Sequence, residues 1–490
     1  MQQFFNPFEQ NTGSDRILSV RFLAFVGILI ALSALITSRL GIVGGMGFMI
    51  LPFVFTFLYL LFRYPIIGLY TAISLGFILL GIGRYVTGIP IGLAMDGILI
   101  LTLIALIFNK FYERIDWTPA KKDISILALI WFGYTLFQIV NPEARSFAAW
   151  FSGRGIGFYM LMIVPLTLLF INSNRKLNVL FYIWGAFTLL VTLKGFMQLK
   201  WGVDPWEQAW LNEGNYKTHI LFGKLRAFSF LSDAGQFGAN QAYSAVVATI
   251  VSMSQTKWKS KLFFIIVALA GFYGMIVSGT RGAISIPLAG FSIFILLRKN
   301  IPVMISGFFM LLIVFVFFKY TTIGQGNDQI RRMRTAFDPN DASLQVRLEN
   351  QRKLKTYMAS RPFGGGIGHG GVKAQKYLPN AYLSQVPTDS GYVLIWVELG
   401  IVGLLLHLFI LFYVVGKSSY CIMFRIRDPN LRLKMAALTS GMFGIMVANY
   451  GNAVLYQMPT SMLIYTSMAL MMNTEALDKP KVVSNRELDL

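Results

Sequence analysis

Two arginines beside glycine and hydroxyl residues are the first candidates for chemistry in this chain. Arg281 lies in the segment Ser278-Gly-Thr-Arg-Gly282, where one apolar stretch turns tightly into the next. Arg226 opens the segment Arg226-Ala-Phe-Ser-Phe-Leu-Ser-Asp233, just before another apolar stretch. A guanidinium offers paired donors to phosphate oxygens, and glycines let backbone amides approach an anion. The two segments therefore predict an anion site, although an isolated arginine at a helix end is also typical of an anchor at the lipid headgroups.

A glycine-rich stretch runs from Arg361 to Gly371. Gly364, Gly366 and Gly368 allow left-handed or extended backbone and a close approach to a ligand. A P-loop is excluded because no Gly-Lys-Ser/Thr follows the glycines. The stretch is compatible with a binding loop or with a flexible connection.

Two carboxylates follow this stretch. Asp389 comes directly before an apolar segment, at a predicted membrane–water boundary. It could cap the helix that begins there, or act as a general base that takes a proton from an acceptor hydroxyl. Glu398 lies about two helical turns inside the apolar segment, where a carboxylate needs a partner, and it is therefore a candidate for a functional or a structural role.

Asp96 is a further carboxylate inside an apolar segment. A carboxylate within a membrane is costly without a partner, so we expect it to form an ion pair. Lys194 and Arg84 are the two partners that the sequence suggests.

Composition identifies the elements that must position these residues. Hydrophobic residues make up 55% of the 490 residues and charged residues only 13%. Apolar runs recur along the chain, each long enough to cross a hydrocarbon core of about 30 Å as a helix. We therefore predict an all-α integral membrane protein with about 14 transmembrane helices, a count of 12 being the alternative. The predicted spans are 18–37, 45–62, 66–82, 91–108, 124–140, 155–171, 178–198, 236–254, 262–278, 283–297, 302–319, 391–415, 435–451 and 458–473.

Basic residues in the short connections predict that both termini are cytoplasmic. The sequence then divides into four parts, with the large periplasmic loop partly helical because residues 342–359 have an amphipathic pattern. These parts are N-terminal transmembrane helices (1–198), core helices with a first outer loop at 199–235 (199–319), a large periplasmic loop (320–390), and C-terminal helices with a short cytoplasmic tail (391–490).

The large loop carries ten arginines and lysines. Long loops are translocated largely regardless of charge, so these cations are permitted on the outer face. Their number indicates an anionic partner. A basic surface that lies against anionic lipid headgroups is the alternative interpretation.

Taken in order, several segments resemble the O-antigen ligase and O-antigen polymerase superfamily of bacterial glycan assembly. The resemblance covers roughly residues 195–415 and depends on the order and spacing of the motifs. Those motifs are the Arg226 segment, Ser-Gly-Thr-Arg-Gly at 278–282, Ser343-Leu-Gln-Val-Arg347, Pro362-Phe-Gly-Gly-Gly-Ile-Gly368 and Glu398-Leu-Gly-Ile-Val-Gly403.

The resemblance implies a multi-span protein of the bacterial inner membrane that transfers glycan from an undecaprenyl-diphosphate-linked donor to a glycan or lipid-glycan acceptor. It implies an inverting reaction that needs no cofactor and no metal, with membrane lipids but no nucleic acid as partners. Arg226 and Arg281 are implied to hold the diphosphate, with Arg347 as a further contact. Family ligases carry a histidine near the end of the loop, whereas this chain has Asp389 there, so Asp389 and His369 both remain candidates for the base.

The rival class is a flippase for lipid-linked oligosaccharide, which 14 spans would suit. Transporters commonly contain two related halves, and we find no internal repeat. The polar residues gather at the outer edge, and flipping does not need a loop of this size. A peptidoglycan-type polymerase would share the chemistry. Ligase and polymerase use the same donor and differ in acceptor, so the sequence does not separate them, and it does not identify the sugar, the linkage or the oligomeric state.

Overall fold

The computed structural model describes residues 20–86, 91–110, 115–221, 223–326, 328–335 and 342–478. It divides into two compact units, residues 1–67 and 68–490. The first unit contains helix α1 (Val20–Arg63), whose backbone leaves helical geometry at Gly41, with φ of 68°. The predicted spans 18–37 and 45–62 fall on either side of this kink. The predicted cytoplasmic tail beyond residue 478 lies outside the described residues.

The second unit contains the other predicted spans, and each of them coincides with a helix. The helices after α1, including the short ones in the connections, are α2 (Ile66–Ile82), α3 (Ile91–Asn109), α4 (Asp123–Phe137), α5 (Phe147–Gly153), α6 (Gly155–Phe170), α7 (Asn174–Lys200), α8 (Pro205–Trp210), α9 (Tyr216–His219), α10 (Ala234–Met253), α11 (Trp258–Val277), α12 (Ser285–Leu297), α13 (Ile301–Tyr320), α14 (Asp328–Arg334), α15 (Ala342–Met358), α16 (Tyr382–Gln385), α17 (Gly391–Phe424), α18 (Pro429–Ala448), α19 (Thr460–Met471) and α20 (Thr474–Leu477). Three-residue to five-residue turns lie at Thr118–Ala120, Leu211–Asn215, Arg281–Ile284 and Val372–Lys376.

Seven helices of the described residues are long and apolar enough to cross a membrane, and six shorter apolar helices accompany them. The prediction of an all-α integral membrane protein is therefore confirmed. Several helices begin at a side-chain cap that satisfies a free backbone amide. Ser173 accepts a hydrogen bond from the Lys176 amide, and Asp233 accepts one from the Gln236 amide.

Helix α10 lies at the centre of the second unit. All but two of its twenty residues are buried, and it packs against α11, α18, α12 and α7. Small residues let the helices approach closely, as membrane packing requires. A Cβ at Gly271 of α11 would lie 2.8 Å from the Gln241 carbonyl oxygen. By contrast, α13 has no buried residue, which is the pattern of a helix whose apolar surface faces lipid.

The two long connections are folded. In the first, α8 and α9 lead to a short hairpin in which Ile220 pairs with Leu225. In the second, α15 coincides with the amphipathic helix predicted at 342–359, and the loop is partly helical as predicted. Leu354 and Met358 of α15 pack on Leu383 and on Val397 of α17. The loop therefore rests on the helical body through an apolar core of its own.

The intramembrane ion pairs differ from those suggested by the sequence. Asp96 accepts a hydrogen bond from Arg154 at 2.7 Å, so the suggestion of Lys194 or Arg84 was wrong. Lys194 instead lies 3.1 Å from both Asp204 and Glu207. Arg84 donates to the Ser229 carbonyl and lies over the Trp210 ring. The sequence does not show which helices are neighbours, and helix adjacency decides each pair.

Candidate functional site

Arg226 is held in place by neutral acceptors. Its Nε donates to the Ser278 carbonyl at 3.0 Å, and one Nη donates to the Thr280 hydroxyl at 2.9 Å. The other Nη donates to the Thr218 carbonyl at 2.8 Å. The side chain is therefore oriented by the turn between α11 and α12 while it keeps its full positive charge.

The same turn brings two further arginines to Arg226. Gly279 has φ of +57°, and a Cβ there would lie 3.6 Å from Arg332 Cδ and 3.7 Å from Arg226 Nε. Arg281 donates to the Thr335 hydroxyl at 3.0 Å, at the end of α14. We name Arg226, Arg281 and Arg332 the arginine cluster. It unites the two arginines predicted from sequence with a third from the large loop.

Electrostatics indicate that the arginine cluster would bind an anion. Burial, together with the nearby charges of Arg332 and Arg281, lowers the pKa of Arg226 to about 10, and Asp233 opposes this shift. Arg226 is still charged at neutral pH. An anion with several oxygens would relieve the repulsion among the three guanidinium groups.

Sequence reasoning did not single out Arg332, because it is one of three arginines within four residues of α14. Arg331 is exposed, and Arg332 is partly buried against the turn at Gly279. The helical geometry of α14 directs Arg332, and not Arg331, toward the turn at Gly279. A helix predicted at this position would have given the relative faces of these arginines, but not the turn that they contact.

Asp389 lies beside Arg347. The Arg347 Nε is 3.9 Å from Asp389 Oδ2, and the Asp389 side chain is 42% exposed. Helix α17 begins at Gly391 with Ser390 at the capping position, so Asp389 is not the helix cap. The carboxylate is therefore accessible. Arg347, predicted as a diphosphate contact, is placed next to the candidate base.

The segment after α18 connects the arginine cluster to Asp389. The Asn449 carbonyl accepts a hydrogen bond from the Gly391 amide at 2.9 Å. Three residues later, the Asn452 amide group lies against Gly235 at the start of α10. Three residues span at most about 11 Å. Because Gly391 follows Asp389 closely and Gly235 follows the Arg226 segment, both parts of the site lie at the same end of the helical body.

The glycine stretch approaches protein backbone. Gly364, Gly366 and Gly368 have φ of +85°, +98° and +76°, a region that favours glycine. The Gly365 amide donates to the Val397 carbonyl at 2.8 Å, and the Gly366 amide donates to the Glu398 carbonyl at 2.9 Å. A Cβ at Gly368 would overlap the Ala149 carbonyl. The glycines therefore allow this loop to pack closely between α5 and α17.

His369 is buried in this loop, and backbone groups occupy both of its ring nitrogens. Nδ1 lies 2.9 Å from the Ile367 carbonyl oxygen, and Nε2 accepts a hydrogen bond from the Ser146 amide at 3.3 Å. These partners define a neutral ring with the proton on Nδ1. Burial lowers the pKa of His369, and the charge of Arg145 lowers it further. This arrangement favours a structural role for His369 and leaves Asp389 as the accessible candidate base.

The buried, neutral state of His369 predicts a loss of stability in acid. The unfolded chain binds a proton as the pH falls below about 6.5, whereas the folded chain resists it, so the free energy of unfolding decreases on acidification. We expect the melting temperature of the purified protein to fall between pH 7.5 and pH 5.5. In His369→Gln, which cannot titrate, the fall should be smaller. His219 also has a pKa lowered by burial and accounts for part of the remaining fall. An identical fall in both proteins would contradict this prediction.

Within the part of the chain that the structure describes, no group of three or more His, Cys, Asp or Glu side chains is arranged to hold a metal ion.

Comparison with known families identifies a match to part of the chain. The family model described as O-antigen ligase matches residues 242–408, which include Arg281, Arg332, Arg347 and Asp389. Arg226 lies outside the matched range. No curated protein matches the chain. The matched residues 242–408 lie within the helical membrane fold and are similar to the O-antigen ligase family, which supports the resemblance of the chain to the O-antigen ligase and O-antigen polymerase superfamily.

Proposed function

We propose that this protein transfers a glycan from an undecaprenyl-diphosphate-linked donor to a hydroxyl of a glycan or lipid-glycan acceptor. The family match supports glycan transfer or ligation in a membrane. The observation that supports the lipid-diphosphate donor and the hydroxyl acceptor is the arginine cluster, which lies at the same end of the helical body as Asp389. We place this end at the periplasmic face of the inner membrane, with both termini cytoplasmic, because the short connections at the opposite end are rich in lysine and arginine.

The arginine cluster binds the donor diphosphate. Bond cleavage at the anomeric carbon leaves the electron pair on the diphosphate, whose negative charge grows in the transition state. Charges that are already fixed around the diphosphate stabilise that transition state without having to reorganise. The hydrogen bonds from Arg226 to Ser278 and Thr280 provide this fixation.

Asp389 activates the acceptor. Its carboxylate accepts the proton of the acceptor hydroxyl as the hydroxyl oxygen bonds to the anomeric carbon, and lipid diphosphate leaves from the opposite face. The configuration at that carbon is therefore inverted. Arg347 lies 3.9 Å from Asp389 and orients the carboxylate. No step in this scheme requires a nucleotide sugar or a metal ion.

A gene deletion complemented with wild-type protein tests the proposal. Surface glycan is separated on a gel, and the lipid-linked fraction is analysed in parallel. Single repeat units in place of a ladder would identify a polymerase, and long chains retained on the lipid carrier would identify a ligase. Lipid-linked units trapped at the cytoplasmic face would contradict the proposal and support a flippase.

A further inference from the structure

The helix that follows Asp389 is broken inside its predicted membrane span. Gly400 in α17 has φ of 70° and ψ of −174°, which is not helical. A break of this kind frees carbonyl groups of the preceding turn, and an unsatisfied carbonyl in a membrane is costly. The Val397, Glu398 and Leu399 carbonyls are satisfied from elsewhere in the fold. Their donors are the Gly365 amide, the Gly366 amide at 2.9 Å and the Tyr134 hydroxyl at 2.7 Å.

The break and the glycine stretch fit each other without room for side chains. A Cβ at Gly400 would overlap the Pro362 carbonyl and lie 2.5 Å from the Gly364 amide nitrogen. A Cβ at Gly364 would overlap the Glu398 carbonyl. Residues 362–371 and 397–400 therefore form one unit, which we name the glycine lock.

The Glu398 side chain fastens the far end of the glycine lock. It is buried, and its Oε1 accepts a hydrogen bond from the Gly370 amide at 3.3 Å. Its Cγ lies 3.1 Å from the position of a Gly370 Cβ. A buried carboxylate is retained only with such partners, so the contact holds Gly370 at a fixed place against α17.

The glycine lock continues directly to Asp389. The Gly371 amide donates to the Leu383 carbonyl at 3.0 Å, and a Cβ at Gly371 would lie 2.5 Å from the Thr388 hydroxyl. Thr388 precedes Asp389 in the chain. On the other side, the Ser390 hydroxyl contacts the Asn449 carbonyl at 3.3 Å. The position of Asp389 is thus set by the lock on one side and by Asn449 on the other.

We propose that Glu398 is a positioning residue for Asp389. Glu398 acts through Gly370 and Gly371, because it keeps the glycine lock closed on the broken helix. This inference rests on the proposed function for the role of Asp389. The closed lock itself does not depend on that role. Glu398 acts as a hydrogen-bond acceptor, and its negative charge is not required.

Two substitutions at Glu398 separate its role as a hydrogen-bond acceptor from a role of its negative charge. Glu398→Gln keeps an acceptor oxygen for the Gly370 amide, whereas Glu398→Leu removes it. One readout is the rate at which trypsin cleaves the full-length protein at Lys373 and Lys376, which are exposed and next to the lock. The second readout is glycan transfer, with turnover and acceptor KM measured separately.

We expect Glu398→Leu to raise the cleavage rate and lower turnover, each by roughly tenfold or more, because cleavage follows the population of the open loop. In Glu398→Gln, the cleavage rate and the turnover should both stay within about twofold of the wild-type values. Gly400→Ala breaks the lock without changing Glu398, so it should reproduce the effects of Glu398→Leu even if the leucine variant does not fold. Gly416→Ala is the matched control in the same helix, because a Cβ there has no neighbour within 4 Å.

Wild-type cleavage in both Glu398→Leu and Gly400→Ala would overturn the proposal. A Glu398→Gln protein with a closed loop but the low turnover of Glu398→Leu would also overturn it, because the charge would then be required. If wild-type protein transfers no glycan, the proposed function fails and the positioning role fails with it. The cleavage rates then still decide whether the lock exists.

Discussion

Asp389→Asn is expected to lower the turnover of glycan transfer by roughly 100-fold to 10,000-fold, the usual contribution of a general base. The asparagine keeps the size and most of the polarity of the side chain, but it cannot accept the acceptor proton. Binding of the lipid-diphosphate donor should be unchanged, because the arginine cluster is built from other elements. Turnover is measured with purified donor and acceptor in nanodiscs, and donor affinity is measured separately on the same preparation.

Glu349→Gln is the matched control for this prediction. Glu349 lies on α15, the helix that carries Arg347, and its partner is Lys353 at 3.8 Å. Removing this exposed charge should leave turnover within about twofold of wild type, because exposed ion pairs contribute little. Turnover of Asp389→Asn above half the wild-type value would mean that another group activates the acceptor. His369→Gln would then be the next variant, although both of its ring nitrogens already have partners.

Arg347→Gln should lower turnover less than Asp389→Asn does, but more than the control Glu349→Gln. The Arg347 Nε lies 3.9 Å from Asp389, so Arg347→Gln removes the orienting charge and leaves the carboxylate. The sequence suggested Arg347 as a further contact to the diphosphate, beside Arg226 and Arg281. The structure places it with the candidate base because α15 packs on α17 through Leu354. Loop packing of this kind depends on long-range contacts that a single sequence does not encode locally.

The helical fold was predictable because each span carries its own signal. An apolar run of the right length must be a helix in lipid, and this is why α2 coincides with the predicted span 66–82. Helix α15 was equally predictable from its amphipathic pattern. Both signals are local, and no knowledge of neighbouring helices is needed to interpret them.

Contacts between distant segments were not predictable in this way. The glycine stretch was compatible with ligand binding or with flexibility, and its actual partner is a break in α17 more than thirty residues away. No residue type marks that break except Gly400, which is one of many glycines in the chain. Arg154 became the partner of Asp96 for the same reason, since helix adjacency decides the pair.

Arg281→Ala is expected to lower kcat/KM for the donor by roughly 100-fold to 1,000-fold, the usual loss when one preorganised contact to a developing charge is removed. Arg226→Ala should have an effect at least as large, because Arg226 also holds the turn through Ser278 and Thr280. Arg281→Lys should recover only part of the loss, since lysine keeps the charge but not the paired donors. Donor titrations of turnover provide the measurement.

Arg331→Ala and Arg332→Ala form a matched pair on α14 for this prediction. Arg332 lies against Gly279 in the arginine cluster, whereas the neighbouring Arg331 is exposed. We expect Arg332→Ala to weaken both donor turnover and inhibition by inorganic pyrophosphate, and Arg331→Ala to change neither by more than about twofold. Equal effects of the two substitutions would indicate a diffuse basic surface rather than a diphosphate site. Unchanged pyrophosphate inhibition in Arg226→Ala, Arg281→Ala and Arg332→Ala alike would refute the arginine cluster as that site, because all three cations are assigned to the same anion.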